Sequence, residues 1–422
     1  MATVPGESGR AVSRPGLIRF LSKHAHVVIA LAVPGVLLSF AVMLLLRRAG
    51  LDAGSGIDYQ VYRWAVHTWL SGGDIMHTAP TTSTGRVLPW VYPPFALLPL
   101  LPFALLPHVA GLLALYAVDL LAIGAVLYLV VRHLWPELDR RGGIAAAAGL
   151  LPAALFLEPV YASFGLGQIN IVLMGLAAVD CLARNPRWPR GLLVGIAAAI
   201  KLTPAAFLLF FVVRKDFRAA VTAVVTAAAC TAVGFLLDRR AAVEYWFGSG
   251  PANGVSGSAF HTNQSIIGGL ARMEIPHGLR TALWVALCLA VAALAAYAMA
   301  RVEVPLAVVA NGLLALLASP TSWSDHWVWC VPALLVMFGC AWRLRSAGWL
   351  ATGLATTATV LLASFRWVPN GVTWTPVQHV VGNPYLLLGL VLLVLLARYA
   401  RVSRAGEADP DEPPVALAAG SR

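Results

Sequence analysis

Four ionisable side chains in this sequence have apolar neighbours, where a charge is costly. Asp58 opens a segment rich in tyrosine and tryptophan, and a carboxylate placed there can act as a general base toward a hydroxyl. Lys201 lies in the apolar stretch 190–213, where a lysine costs about 2.5–3.5 kcal/mol on insertion and usually has a partner or a ligand. An anionic phosphate would be such a ligand. The adjacent Asp325 and His326 can relay a proton or bind a polar group.

Hydroxyl, amide and aromatic side chains accompany these residues in short motifs along the chain. Amides and phenols form hydrogen bonds with hydroxyl groups, so several of them together can hold a polar ligand. Other roles remain open: interfacial anchoring for the aromatic residues, helix capping for the amides and snorkelling for Lys201. The residues predicted to bind hydroxyl groups are Tyr62, Tyr92, Gln168, Asn170, His261, Asn263, Gln264, Ser322, Trp323 and Asp325.

Several kinds of chemistry lack their sequence signatures. The chain has no Walker loop, no dinucleotide-binding fingerprint at a strand-to-helix turn and no Gly-x-Ser-x-Gly elbow. Its five cysteines lie in apolar runs without paired spacing, and Asp325-His326 has no second cluster with ligand spacing, so we expect neither a disulfide scaffold nor a metal site. The net charge of +11 is spread over loops, which favours membrane topology over nucleic-acid binding.

The elements that position these residues are membrane helices. Of the 422 residues 59% are hydrophobic and only 12% are charged, and apolar runs recur from Ala25 to Ala400. Their lengths approach the roughly 20 residues that cross a bilayer, and they are continuously apolar rather than alternating. We therefore predict an all-α, polytopic protein. The predicted spans are 26–46, 109–131, 143–162, 169–184, 190–200, 203–213, 217–237, 280–300, 304–319, 327–341, 347–364 and 384–400.

The density of Lys and Arg predicts a plasma-membrane protein with both termini in the cytoplasm. Two segments require special treatment. Phe95 to Pro107 is short and proline-rich, so we predict that it is re-entrant or interfacial. A single crossing over 190–213 would put the basic residues on its two sides on opposite faces, so we predict a break at Lys201-Leu-Thr-Pro204.

This topology divides the chain into a cytoplasmic segment, one membrane domain and a cytoplasmic tail that is predicted to be disordered. The unusual polar clusters then gather at the outer face. The corresponding ranges are 1–24 for the first segment, 25–400 for the domain with outer loops 47–108, 238–279, 320–326 and 365–383, and 401–422 for the tail.

The order of the polar motifs resembles that in the polyprenyl-phosphate-mannose-dependent α-1,2-mannosyltransferases of mycobacteria and relatives, which are GT-C-type glycosyltransferases. The likeness covers roughly residues 26–400. Relatives often carry paired histidines where this chain has Asp325-His326. The motifs are Asp58-Tyr59-x-Val-Tyr62, Tyr92-Pro-Pro-Phe95, Gly167-Gln168-x-Asn170, Lys201-Leu-Thr-Pro204, Asn263-Gln264-Ser265 and Ser319-Pro-x-Ser322-Trp-x-x-His326-Trp.

The resemblance implies a donor of β-mannosyl phosphate on a polyprenol and a phosphatidylinositol mannoside acceptor. It also implies an essential aspartate early in the first outer loop, a position that Asp58 matches. We therefore predict one inverting displacement at the extracytoplasmic face, with Asp58 as the base. A leaving phosphate needs charge stabilisation rather than a second carboxylic acid, and Lys201, His326 and Arg272 are the candidates for it. The expected partners are these two lipids and the bilayer, without a cofactor.

Two alternatives remain open at this stage. Within the enzyme class, the acceptor could be lipomannan or lipoarabinomannan, or the donated sugar could be arabinose. In a different class, a transporter or flippase of lipid-linked sugars would also use a broken helix and an intramembrane lysine. We see no internal repeat of the kind that transporters commonly show, and the one-sided polar clusters favour an enzyme.

Overall fold

The computed structural model describes residues 15–48, 56–248, 255–371 and 373–408, and nearly all of them belong to helices or short connections. The predictions for residues 1–14, for residues 49–55 and 249–254 of the first two predicted outer loops and for residues 409–422 of the tail fall outside these residues. The α-helices are α1 Pro15–Lys23, α2 Ala25–Arg48, α3 Ile57–Leu70, α4 Leu97–Leu105, α5 His108–Leu134, α6 Arg140–Leu155, α7 Glu158–Leu166, α8 Asn170–Leu182, α9 Leu192–Ile200, α10 Phe207–Val213, α11 Phe217–Leu237, α12 Arg239–Phe247, α13 Ile266–Ala271, α14 His277–Met299, α15 Val304–Ala318, α16 Cys330–Leu344, α17 Ala347–Leu362, α18 Pro376–Gly382 and α19 Pro384–Ala408.

Seven of the described helical segments are long and apolar enough to cross a membrane, or eight if one bent pair counts as a span. Many of their leucines and valines are exposed, as lipid-facing side chains must be. The chain is therefore a multi-pass membrane protein, whereas twelve full crossings are not confirmed. The seven segments are Ala25–Leu45, His108–Leu134, Phe217–Leu237, His277–Met299, Ser324–Leu344, Ala347–Trp367 and Pro384–Val402.

The predicted span 143–162 is bent in the structure. Helix α6 ends at Leu155, and α7 continues from Glu158 after a turn of 77°. The pair Glu158-Pro159 starts the new helix, because proline fits the first turn of a helix but not its interior. The sequence prediction missed this bend, since it treated the stretch as one apolar run.

The segment 190–213 is a hairpin. Helix α9 ends at Ile200, Lys201 has extended backbone angles, and a short 3-10 helix over Thr203–Ala206 leads into α10. The chain then returns to the end where it started, because Arg190 Nε lies 3.8 Å from Asp216 Oδ2. With only nine and seven residues, α9 and α10 measure about 14 and 11 Å, so each is too short to cross alone.

Side-chain contacts define two ends of the bundle. At one end, His133 bonds the carbonyl of Leu182, and Arg214 bonds those of Met299 and Val302. At the other end, Tyr59 packs on His108, the first residue of α5. Since α5 has 27 residues, these ends are about 40 Å apart along it.

Two apolar cores hold the bundle together. The larger core involves α5, α8, α15, α16 and α19, and the smaller one packs α3 and α4 against α9. Helix α4 lies along α3, where Tyr59 OH and Arg63 Nη1 donate to the carbonyls of Phe103 and Ala104. The smaller core thereby fixes the start of α3, which carries Asp58.

Candidate active site

The first half of the site is built around the side chain of Gln168. Its Nε2 donates to Asp58 Oδ2 at 2.8 Å, and its Oε1 accepts from Tyr92 OH at 2.8 Å and from Tyr62 OH. The two phenolic oxygens lie 2.9 Å apart, so the three oxygens form one compact cluster. Burial raises the pKa of Tyr92 above its ordinary value, so its hydroxyl remains a donor. This network fixes the amide of Gln168 with its NH₂ group toward the carboxylate.

Gly167 makes this placement possible. It ends α7 with φ +68, a left-handed conformation that glycine adopts without strain. A Cβ atom at this position would lie only 2.7 Å from Tyr59 Cβ, so there is also no space for a side chain larger than that of glycine. Gln168 follows Gly167 directly and bonds Asp58 of α3, and Asn170 is the first residue of α8.

The second half of the site is a chain of polar contacts around Lys201. Its Nζ donates to Asn170 Oδ1 at 2.8 Å and lies 3.2 Å from His326 Nε2. Asn170 Nδ2 donates to Asp325 Oδ2 at 2.7 Å, and this oxygen lies 3.8 Å from His326 Nε2. Asp325 and His326 are both buried. The hairpin tip, the start of α8 and the segment before α16 therefore meet at one place.

The two halves are adjacent. Gln168 and Asn170 are separated by one residue, and Lys201 Nζ lies 5.4 Å from the centre of the Tyr92 ring. A cleft borders two residues that contact Lys201, Asn170 and His326, which together with Ser322 line its polar part; Leu173 and Phe207 belong to its apolar wall. Ser322 Oγ is buried without a hydrogen-bond partner among the described residues, so it can bind a ligand.

Asp58 has the electrostatics of a base. Burial raises the pKa of its carboxyl from 3.8 to about 6, although the nearby Lys201 ammonium and the Gln168 hydrogen bond both favour the charged form. The carboxylate is therefore ionised near neutral pH and yet more basic than an exposed aspartate. It can remove a proton from a bound hydroxyl.

A second group of predicted residues holds loops together instead. Arg272 is fully enclosed; its guanidinium donates to the carbonyls of Phe260 and Asn263 and to the side chain of Asn383, and it lies 4.7 Å from the Trp374 ring. Burial lowers the pKa of Arg272 to about 10. None of its described contacts reaches Lys201 or Asp58, so the structure does not bring it to the predicted phosphate site.

The amides of the same loop are also occupied. Asn263 Oδ1 accepts from Ser265 Oγ and from the backbone of Ser322, and Gln264 Nε2 donates to two carbonyls. His261 contacts the carbonyl of Val368. Trp323 is half-buried with its ring edge-on to Phe260. These contacts shape the surroundings of the cleft without supplying free groups to the Asp58–Lys201 network.

One buried carboxylate next to the site was not among the predicted site residues. Glu158 Oε1 accepts from Ser324 Oγ at 3.0 Å, and Glu158 Oε2 accepts from Tyr385 OH at 2.7 Å. A glutamate within an apolar run was the available signal, but its partners lie far away in sequence. Ser163, which bonds the carbonyl of Asp325, gave no signal because nothing distinguishes it from other serines in apolar runs.

A base and a cation on two sides of one turn are suited to group transfer, which needs an acceptor for the proton of an incoming hydroxyl and a charge to stabilise an anionic leaving group. With the helical fold, this arrangement is compatible with a multi-pass membrane transferase. The chain belongs to glycosyltransferase family 87, whose model matches residues 90–320. The family predicted from the ordered motifs is thereby confirmed.

Proteins of known activity are similar over most of the chain. Two of them, from Mycobacterium tuberculosis and Mycolicibacterium smegmatis, are both named polyprenol-phosphate-mannose-dependent alpha-(1-2)-phosphatidylinositol mannoside mannosyltransferase. The first is 40% identical over 74% of this chain and 76% of its own. The second is 36% identical over 86% and 89%. A pentamannoside mannosyltransferase from the latter organism is 30% identical over 73% and 74%. No solved structure matches the chain.

Proposed function

We propose that this protein transfers mannose from polyprenyl-phosphate mannose to a phosphatidylinositol mannoside and forms an α-1,2 linkage. The names of its relatives supply the two substrates. The observation that carries the proposal is the position of Asp58 and Lys201 on the two sides of the Gln168–Asn170 turn. A proton acceptor and a phosphate ligand are what this reaction requires.

The reaction proceeds as one displacement. A carboxylate oxygen of Asp58 takes the proton of the acceptor's 2-hydroxyl while that oxygen forms a bond to the anomeric carbon. The bond from this carbon to the phosphate oxygen breaks, and polyprenyl phosphate leaves with the electron pair. Configuration inverts, so a β-linked donor gives an α-linked product. Lys201 and His326 contact the departing phosphate, since Lys201 Nζ lies 3.2 Å from Nε2 of His326, which lines the cleft.

The other residues receive roles that agree with their positions. Tyr62, Tyr92 and Gln168 orient Asp58, and Asn170, Ser322 and Asp325 face the sugar-phosphate. The apolar wall of the cleft around Leu173 suits the start of a polyprenyl chain. His261, Asn263, Gln264, Trp323 and Arg272 stabilise the loops that enclose the acceptor.

The topology belongs to the same proposal. The end of the bundle with the arginines at 132, 184 and 214 faces the cytoplasm, and Asp58 faces the cell exterior. Both termini are cytoplasmic, and Phe95–Pro107 stays at the outer side. The crossing helices are α2, α5, α6, α8, α11, α14, α15, α16, α17 and α19. The hairpin over 190–213 enters from the cytoplasmic side and returns, so the predicted orientation is kept.

The test is transfer by the purified protein. It is incubated with polyprenyl-phosphate mannose and a series of phosphatidylinositol mannosides, and mass spectrometry identifies the species that gains a hexose. An α-1,2-specific mannosidase must then remove that hexose. A donor carrying arabinose and a lipomannan acceptor test the alternative substrates. Recovery of the donor unchanged beside every acceptor would refute transferase activity and favour transport.

The role of Asp58 has its own variants. We expect Asp58→Asn and Asp58→Ala to lower kcat by about 10²–10⁴, because the general base is lost. The control is Asp74→Asn: Asp74 is an outer-loop aspartate that caps the local backbone at Met76 and His77, and we expect this variant to retain activity. Near-normal turnover by a folded Asp58→Asn variant would contradict the assignment.

A further inference from the structure

The buried carboxylate of Glu158 joins three separate elements. Its side chain is 6% exposed and accepts hydrogen bonds from Ser324 Oγ at 3.0 Å, Arg366 Nη2 at 2.8 Å and Tyr385 OH at 2.7 Å. These partners come from the segment before α16, the turn after α17 and the start of α19. All three are donors, so an ionised carboxylate satisfies them together.

Helix α7 contacts the Asp325–His326 segment at two points. Glu158 bonds Ser324, the residue before Asp325, and Ser163 Oγ donates to the Asp325 carbonyl at 2.9 Å. Ser163 is fully buried. Helix α7 therefore carries Glu158 and Ser163, and it ends at Gly167, which starts the Gln168–Asn170 turn.

The segment Ser324–Trp329 needs the hydrogen bonds from α7 to keep its conformation. Ser324–Trp329 is a 3-10 helix, whose hydrogen-bond geometry is poorer than that of an α-helix, and Trp327 departs from helical backbone angles. Asp325 and His326 must nevertheless point at Asn170 and Lys201, which lie 2.7 and 3.2 Å from their side-chain atoms. Without the bond to Ser324, this segment would keep only one of its two side-chain hydrogen bonds to α7, the one from Ser163.

We propose that Glu158 is a positioning residue for the donor side of the site. Through Ser324, Glu158 holds Asp325 and His326 against Asn170 and Lys201. It thereby fixes the position of His326, which contacts the leaving phosphate together with Lys201. Glu158 itself touches neither substrate. This inference rests on the proposed function, because it takes the Lys201 side as the phosphate site and the Asp58 side as the acceptor site.

The main variant is Glu158→Gln, which keeps the volume but removes the charge and one acceptor. We expect kcat/KM for polyprenyl-phosphate mannose to fall about 10- to 100-fold, by analogy with the loss found when a hydrogen-bond partner behind a metal ligand is removed. KM for the acceptor and the pH at which Asp58 titrates stay as in the unmodified protein. A variant that is merely less well folded would lose activity without this split between the two substrates.

The matched control is Glu303→Gln. Glu303 also pairs with an arginine, Arg343 at 3.3 Å, but at the opposite end of the bundle and with a 57% exposed side chain. We expect the donor and acceptor kinetics of this variant to match those of the unmodified protein.

A second variant keeps the proposal testable if Glu158→Gln does not fold. Ser324→Ala removes only the link between Glu158 and the 3-10 helix, and we expect the same selective loss toward the donor. In a double-mutant cycle, Ser324→Ala and Glu158→Gln should not be additive, because they break one connection. Additive losses, or donor kinetics equal to those of the unmodified protein, would overturn the role of Glu158. If the unmodified protein transfers no mannose, the proposed function fails instead.

Discussion

At the scale of single residues, the ionisation of Asp58 has a measurable consequence. Burial raises its pKa to about 6, and only the ionised form can accept a proton. Activity is therefore expected to be full above this pH and to fall about tenfold per unit below it.

Gln168 tests whether Asp58 sets that pH limit. Its amide bonds the ionised carboxylate, so Gln168→Leu should raise the pKa of Asp58 and shift the fall in kcat/KM to higher pH. The measurement is product formation from about pH 5 to about pH 8. Gln60→Leu is the control, since Gln60 lies on α3 like Asp58 but bonds Ser83. A pH limit that stays unchanged in Gln168→Leu would separate Asp58 from the observed titration.

The sequence predicted the network residues better than the loop residues. Asp58, Lys201, Asp325 and His326 were recognisable because ionisable groups beside apolar runs are expensive. Arg272 looks equally expensive in sequence. Two of its partners are backbone carbonyls, which every residue has. The third is the side chain of Asn383, more than a hundred residues away in the chain, so none of the three can be recognised from the sequence.

At the scale of elements, the turn at Gly167 can be tested by one methyl group. Gly167→Ala would place a Cβ atom 2.7 Å from Tyr59 Cβ and 3.0 Å from Leu112 Cδ1. We expect a lower melting temperature and a loss of transfer, because Gln168 and Asn170 must move. Gly85→Ala is the matched control: it has a similar φ of +76 but open space around the new Cβ.

The comparison separates strain from packing. Both alanines adopt a left-handed conformation that costs about 1–2 kcal/mol, so only the crowding differs. Equal effects of the two substitutions on activity would mean that the close contact with Tyr59 does not position the site.

The elements also show where sequence patterns stop being informative. The break at Lys201–Pro204 was predictable, because the basic residues on both sides had to share a face. The lengths of the two helices, nine and seven residues, were not predictable, because composition does not fix where each helix begins and ends. The 77° bend after Leu155 was missed for a related reason: short polar signals within an apolar run do not reveal a change of direction.

At the scale of the whole molecule, the orientation can be tested with two exposed arginines. In a background without the five native cysteines, Arg86→Cys lies between α3 and α4 and Arg187→Cys between α8 and α9. An impermeant maleimide should label Arg86→Cys in intact cells and Arg187→Cys only after permeabilisation. Both cysteines replace exposed arginines, so a difference in labelling reports their side of the membrane. Labelling of Arg187→Cys in intact cells would reverse the topology.

The hairpin also constrains biogenesis. Helices α9 and α10 are too short to rest across a bilayer alone, and their tip carries an ammonium group whose described hydrogen-bond partners belong to α8 and to the segment before α16. The hairpin packs on α8, α11 and α15. It must therefore dock into helices that have already entered the membrane. We therefore expect insertion and the acquisition of activity to be separate events, because α15 and His326 follow the hairpin in the chain.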